Sequence, residues 1–251
     1  MDFANQTVLV TGASGSIGQA IARAFAEAGA RVALHYHAGR EAVEDLRASL
    51  PGTDHLIVPA NIAQPRDVRW MVTAVVQAWG RLDVLVNNAA IYVQHPVAEV
   101  SYEEWQANFE RVMQVNLLGA ANACYCAARQ MIEQGGGRIV NVGSRGGYRG
   151  EPRMTSYGAS KAALHALSQS LAQELAPHNI FVTAVAPGFV EGGMATDALT
   201  GTQGDAIRAQ SPLGRVARPE EVAHLVRFLA APGAEFLTGS VVDINGASYL
   251  H

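Results

Sequence analysis

Lysine is almost missing from this chain. Of its 18 basic residues 17 are arginine, and Lys161 is the single lysine. On an exposed surface either cation serves, so codon bias accounts for the scarcity, and a position that kept lysine suits a compact ammonium better than a planar guanidinium. Cysteine is scarce too. Cys124 and Cys126 stand two apart in a helical segment and point to different faces, so they neither bridge each other nor form a metal site alone. They read as small core residues in a reducing compartment. Charged residues make up only 16% of the chain, and 18 basic against 22 acidic side chains leave a net charge of −4. No cationic surface remains to hold a phosphate backbone or an anionic membrane, which argues against nucleic acid as a partner. No apolar run reaches the roughly 18 residues of a membrane span, and the start MDFANQTVLV lacks the basic-then-apolar pattern of an export signal. A cytoplasmic protein is expected. There is no linker, charged tail or low-complexity tract, so residues 1–251 are expected to form one domain.

What is present is apolar material, 49% of 251 residues, arranged in alternation. Short β-branched runs fall at Thr7–Thr11, Arg31–Tyr36, Leu56–Ala60, Val84–Asn87, Arg138–Val142, Phe181–Ala186 and Val241–Ile244. Runs such as VLVT and RIVNV suit strands covered on both faces. Between them lie amphipathic stretches at Ile17–Ala28, Glu41–Leu50, Pro65–Trp79, Tyr102–Glu133, Ser156–Leu175 and Pro219–Ala230. This βαβ series predicts an α/β Rossmann-type fold, a doubly wound parallel sheet of about seven strands with helices on both faces. Such a sheet binds ligands beyond the carboxyl ends of its strands. Residues 188–210 lack periodicity and are rich in Gly and Thr, the signature of a substrate lid.

Gly12, Gly15 and Gly18 stand three apart, directly after the first strand and at the opening of the first helix. Glycines there permit a tight turn and close approach of a diphosphate, while the helix N-terminus supplies partial positive charge. Tyr157 and Lys161 are four apart on a predicted helix, so both reach the same bound molecule. A neighbouring ammonium favours the phenolate of a tyrosine whose ordinary pKa is about 10. Ser144, 13 residues before Tyr157, lies at the end of the preceding strand, where its hydroxyl is able to hold a carbonyl oxygen.

The segment TGASGSIG, with NNAA at Asn87–Ala90, VNLLG at Val115–Gly119, NVGS at Asn141–Ser144, YGASK at Tyr157–Lys161 and APG at Ala186–Gly188, resembles the short-chain dehydrogenase/reductase family, especially its 3-oxoacyl-carrier-protein-reductase-like branch. The resemblance covers essentially the whole chain. It implies an NAD(P)(H)-dependent oxidoreductase passing hydride between nicotinamide and a carbonyl or secondary alcohol. Tyr157 would be its general acid/base and Ser144 would position the substrate oxygen. Lys161 would hold the nicotinamide ribose and lower the tyrosine pKa, and Asn116 would maintain a water-linked proton path. The resemblance places cofactor contacts at Gly12, Ser14, Gly15, Ser16, Ile17 and Gly18, at Tyr36 and Arg40, at Asn61 and Ile62, and at Asn88 and Ala89. Further contacts fall at Tyr157, Lys161, Pro187, Gly188 and Val190, and no metal is implied.

Four positions depart from the family pattern. Ser16 stands where the second signature glycine is usual, Asn61 replaces a common aspartate near the adenine, and Ala90 replaces the last glycine of NNAG. Gly192 stands where a threonine often contacts the carboxamide, with Thr196 the nearest substitute.

The second strand ends His35-Tyr36-His37-Ala38-Gly39-Arg40, with no acid to receive ribose hydroxyls and a cation suited to a 2′-phosphate. NADP(H) is therefore favoured over NAD(H). Ketones, 3-oxoacyl groups, sugars and polyols all remain open as substrates. Arg145, Arg149 and Arg153 offer a clamp for an anionic substrate, against the commoner fate of surface pairing. A catalytically silent, nucleotide-sensing regulatory protein on the same fold is the alternative from another class. Ala120, Ala121, Ala123, Ala127 and Ala128 permit close helix approach. The resemblance implies a homotetramer built through that helix, its successor and the last strand.

Overall fold

The computed structural model describes all residues, 1–251. Seven strands form one parallel sheet: β1 (Thr7–Val10), β2 (Arg31–Tyr36), β3 (Leu56–Pro59), β4 (Val84–Asn87), β5 (Gly137–Val142), β6 (Ile180–Pro187) and β7 (Val241–Ile244). Their order is β3-β2-β1-β4-β5-β6-β7, so the chain reverses direction across the sheet after β3 and the switch lies between β1 and β4. The expected strands stand within one residue at every end.

The two faces of the sheet carry separate cores, as alternating strand residues require. Val8, Val10 and Val86 pack toward α1 (Ser16–Glu27), α2 (Arg40–Ser49) and α10 (Pro219–Leu229), around Phe25, Leu46 and Val226. Leu9 and Leu85 point the other way. They meet α3 (Pro65–Trp79), α5 (Ala120–Gln134) and α7 (Thr155–Leu175), around Met71, Met131 and Leu175.

One expected helix is not continuous. Tyr102–Glu133 divides into α4 (Tyr102–Met113), a π-helical turn at Gln114–Gly119, and α5. Asn116 in that turn accepts from the Ile91 N–H at 2.8 Å and donates to the Ile91 carbonyl at 2.9 Å. Such widened turns often mark functional sites. A second correction concerns the alanine stripe. Ala120, Ala123, Ala127 and Ala128 are buried within their own chain, the last three in the core they share with α3. Their small size serves internal packing, and the outward face of this region carries exposed Leu118 and Tyr125 instead. Cys124 is buried and Cys126 partly so, both free.

Residues 188–210 are more ordered than their composition predicts. They contain α8 (Thr196–Thr200) and α9 (Gly204–Arg208), and Leu199 and Ile207 pack with Val216 as a small cluster of their own. Gly146–Arg149 forms a single-turn α6.

The first turn is tied to the sheet by a buried histidine. His35 Nδ1 accepts from the Gly12 N–H at 3.0 Å, so Nε2 carries the proton and donates to the Ala60 carbonyl at 3.1 Å. Burial, the largest influence, lowers its pKa from 6.5 to about 4, against the upward pull of the Ala60 bond. The folded chain keeps His35 neutral while the unfolded chain takes up a proton below 6.5. Stability from this group is therefore complete above pH 6.5 and is lost progressively as pH falls toward 4, by roughly 3 kcal/mol. His35→Asn preserves one acceptor and one donor without titrating, so its urea midpoint should depend less on pH between 6.5 and 4 than that of the wild type. Parallel curves for the two proteins would contradict this role.

Candidate active site

The turn after β1 is built for close approach. Gly12 has φ +67°, and a Cβ there would lie 2.9 Å from Ala89 Cα. A Cβ on Gly18 would fall 2.2 Å from the Gly12 carbonyl, so α1 packs against the turn only without a side chain at that point. Gly15 precedes α1 with no side-chain cap and no acid follows in the first turn, leaving the helix N–H groups free beside the cavity. Thr11 and Asn88 clamp this turn to the end of β4. Thr11 Oγ1 accepts from the N–H groups of Asn88 at 2.9 Å and Ala89 at 3.0 Å, while Asn88 Nδ2 donates to the carbonyls of Thr11 and Gly12.

A cavity of about 740 Å³ runs from this turn along the carboxyl ends of the strands. That size lies within the usual range of ligand sites. Gly12, Ser14, Gly15, Ser16, Ile17 and Gly18 form its floor at one end. Asn61 and Ile62 border it from β3, and Asn88 and Ala89 from β4. Pro187, Gly188 and Val190 border it from β6, and Ser144, Tyr157 and Lys161 stand at the far end. An open helix terminus, a glycine floor and a long cleft fit a dinucleotide.

Three predicted residues do not line this cavity. Tyr36 is buried in the core with α1 and α2. Arg40 is exposed, and its Nε donates to Glu44 at 2.8 Å one helical turn on. Asn116 is buried behind the cavity, where its amide also reaches Ser160 Oγ at 3.3 Å while Ser160 Oγ donates to the Tyr157 carbonyl. Its side chain thus holds the β4 loop to α7 and does not approach Lys161 directly. Thr196 also lies outside the cavity, whereas Gly192 borders it. His37, Ala38, Tyr92 and Glu151 also line it. Glu151 is the only carboxylate among the lining residues and stands at the catalytic end.

At that end Ser144 follows β5 and its Oγ accepts from the Gly146 N–H at 3.0 Å, so its own proton is free to donate. His165, on α7, accepts from the Ser144 N–H through Nε2 at 3.4 Å and supports the serine from behind. No spacing signal in the sequence pointed to it. Burial first, then the nearby Lys161 and His251, bring His165 down to about 4, which keeps it neutral. The Tyr92 ring meets Tyr157 edge-on at 4.9 Å between centroids. Lys161 is 3% exposed, donates to the Val142 carbonyl at 2.8 Å, and stands 5.7 Å from the centre of the Tyr157 ring. Burial brings the ammonium down to about 8. Burial also pushes the Tyr157 phenol up to about 12, with the Ser144 hydroxyl opposing and Glu151 adding to the shift. The phenol holds its proton at neutral pH, the state a proton donor needs.

A family model described as enoyl-(acyl carrier protein) reductase matches residues 12–247. The 3-oxoacyl-(acyl-carrier-protein) reductase of Staphylococcus aureus strain Mu50 is 38% identical over 249 residues, covering 98% of both chains. An uncharacterized oxidoreductase of Methylorubrum extorquens is 39% identical over 246 residues, 96% of each. A crystal structure of a dehydrogenase/reductase from Sinorhizobium meliloti 1021 superposes with a TM-score of 0.90 at 32% identity, covering 99% of this chain and 97% of that one. With the glycine turn, the Ser-Tyr-Lys group and the strand order already in place, these likenesses identify the chain as a member of the short-chain dehydrogenase/reductase family, oxidoreductases that pass hydride between a nicotinamide dinucleotide and a carbonyl or alcohol carbon.

Proposed function

We propose that the protein is an NADP(H)-preferring carbonyl reductase or alcohol dehydrogenase whose proton chemistry is carried by Tyr157. The observation that carries this reading is the convergence of Ser144, Tyr157 and Lys161 at one end of the cavity that begins at the glycine turn. Nicotinamide, when bound, supplies or receives the hydride. The side chains orient the reacting groups and manage the proton. Ser144 donates its free hydroxyl proton to the substrate oxygen. Tyr157 gives its proton to that oxygen in reduction and takes it back in oxidation. Lys161 has one N–H engaged by Val142, leaving two to hold ribose hydroxyls, and its charge stabilises the phenolate formed during reduction. The names of the curated relatives favour 3-oxoacyl groups among the candidate substrates.

The cofactor preference rests on charge. His35, His37, Ala38 and Ser14 border the cavity near the end of β2, with no acid among them to repel a 2′-phosphate. Arg40 opens α2 there and exchanges its exposed Glu44 partner for a phosphate at little cost. Residues 188–210 serve as the substrate lid. No helix is long and apolar enough to cross a membrane, and no cluster of His, Cys, Asp or Glu is placed to hold a metal. The assembly in this reading is a cytoplasmic homotetramer, for which exposed Tyr102, Tyr125, Phe236 and Leu250 offer apolar contact. Light scattering should return four times the 26.5 kDa chain mass, and a stable monomer at micromolar concentration would refute the assembly.

The function is tested by assaying ketones, 3-oxoacyl esters, sugars and polyols with each nicotinamide cofactor. Turnover with NADPH above NADH is expected, and Arg40→Ala should weaken NADPH about tenfold while sparing NADH. Equal loss for both would place the arginine in loop support. Absence of turnover with every substrate would return the chain to a nucleotide-sensing role.

A further inference from the structure

The three arginines between Ser144 and Tyr157 have different fates. Arg153 lies outside the cavity, exposed and bonded to both Glu99 oxygens, at 2.5 and 2.7 Å. Arg149 faces Glu151 at 3.4 Å. Arg145 borders the cavity, is only 2% exposed, and has no carboxylate within 4 Å.

A buried guanidinium without an anion is expensive, because the interior does not replace the water it loses. Arg145 has only neutral partners. One of its terminal nitrogens donates to Ser248 Oγ in the C-terminal tail, the other to Gln210 Oε1 at 2.6 Å just after α9. Its guanidinium stacks 5.2 Å from the centre of the Phe189 ring. Burial and repulsion from Arg149 both pull its pKa down, with Glu151 and Tyr92 opposing, so the field around it lacks a full counter-charge. Phe189 and Arg145 also border a second cavity of about 190 Å³, which places the cation between the reacting groups and the space behind them.

We propose that Arg145 is the carboxylate-binding residue of the substrate pocket, and that the preferred substrates are oxo acids or hydroxy acids and not neutral ketones or alcohols. This rests on the oxidoreductase reading and names the substrate class of the same site. The position is apt. Arg145 follows Ser144 directly, and its backbone N–H donates to the Pro187 carbonyl at 2.9 Å, so the segment bearing both side chains is fixed to the end of β6. A substrate carboxylate meeting the planar fork orients the molecule while Ser144 and Tyr157 take the carbonyl oxygen. It also supplies the missing charge, meeting N–H groups that the bonds to Ser248 and Gln210 leave free.

The test uses a series of 2-, 3- and 4-oxo acids, each beside its methyl ester, with wild-type protein, Arg145→Gln and Arg145→Lys. For at least one chain length the wild type should favour the acid over its ester by about tenfold or more in kcat/KM. Arg145→Gln should abolish that preference, lowering kcat/KM for the acid about tenfold more than for its ester, and Arg145→Lys should retain part of it. The same acids titrated calorimetrically into protein holding oxidised cofactor, where reduction is not possible, should bind to the wild type and not to Arg145→Gln. A role confined to bracing the lid and tail would lower acid and ester alike, overturning the proposal. So would wild-type preference for esters throughout, or acid binding that survives in Arg145→Gln. Preference for neutral esters with good turnover would overturn this inference alone. Failure of every carbonyl to react would overturn the oxidoreductase reading, leaving the calorimetric arm to decide the role of Arg145.

Discussion

Lys161 Nζ lies against the Val142 carbonyl at the carboxyl edge of the sheet, in a position where almost none of the residue meets water. Burying an ammonium costs several kcal/mol after relaxation, and the chain offsets it with one strand-end carbonyl and the nearby Tyr157 ring. The contact also fixes geometry, because α7 must hold its lysine against the end of β5 for the bond to form. With Lys161 so placed, Tyr157 one turn earlier comes beside Ser144 at the same edge. The ammonium is brought down to about 8 and the phenol raised to about 12, so at neutral pH the lysine is charged and the tyrosine protonated. That is the pairing in which a phenol gives up a proton next to a cation that stabilises what remains.

The rest of the molecule holds this edge still. Most segments that border the cavity follow a strand end, with Arg111, Gln114 and Val115 joining from α4 and the turn after it and Tyr157 and Lys161 from α7, and several of these segments are bonded to one another as well as to the sheet. Thr11 ties the glycine turn to the β4 loop, His35 ties it to β2 and β3, and Asn116 ties the β4 loop to α7 through Ser160. These are buried or part-buried bonds, most of them between side chains and backbone, and where the site is dry their loss leaves polar groups unpaired at about 1–3 kcal/mol each. They explain why asparagines and a histidine surround the proposed site of Ser144, Tyr157 and Lys161. Much of the motif is scaffold.

The sheet was legible because its strands are covered on both faces and so read as continuous apolar runs. The Tyr157–Lys161 pair was legible because a four-residue spacing on a helix brings two side chains to one place. Other features depend on contacts that spacing does not encode. The π-turn carries Asn116 bonded to Ile91, 25 positions away, and the periodicity of Tyr102–Glu133 gives no sign of it. The alanines of α5 turn inward because α3 and the sheet lie against them, which is a matter of topology. Arg145, Arg149 and Arg153 are equivalent in sequence and separate only when Glu99 and Glu151 are placed in space. His165 behind Ser144 had no sequence signature, since a single histidine on a helix is ordinarily a packing or surface residue.

The account turns on the charge and compactness of Lys161, and the chain supplies an unusual way to probe them. Its only amines are Lys161 and the N-terminus, so an acylating reagent used mildly reports on one side chain without mutation. Activity should fall in proportion to modification of Lys161, with NADPH protecting it and N-terminal modification silent, and Lys161→Arg should lose at least about 100-fold because a planar guanidinium does not fit the same space. Full activity in Lys161→Arg, or in protein acylated at Lys161, would contradict the account.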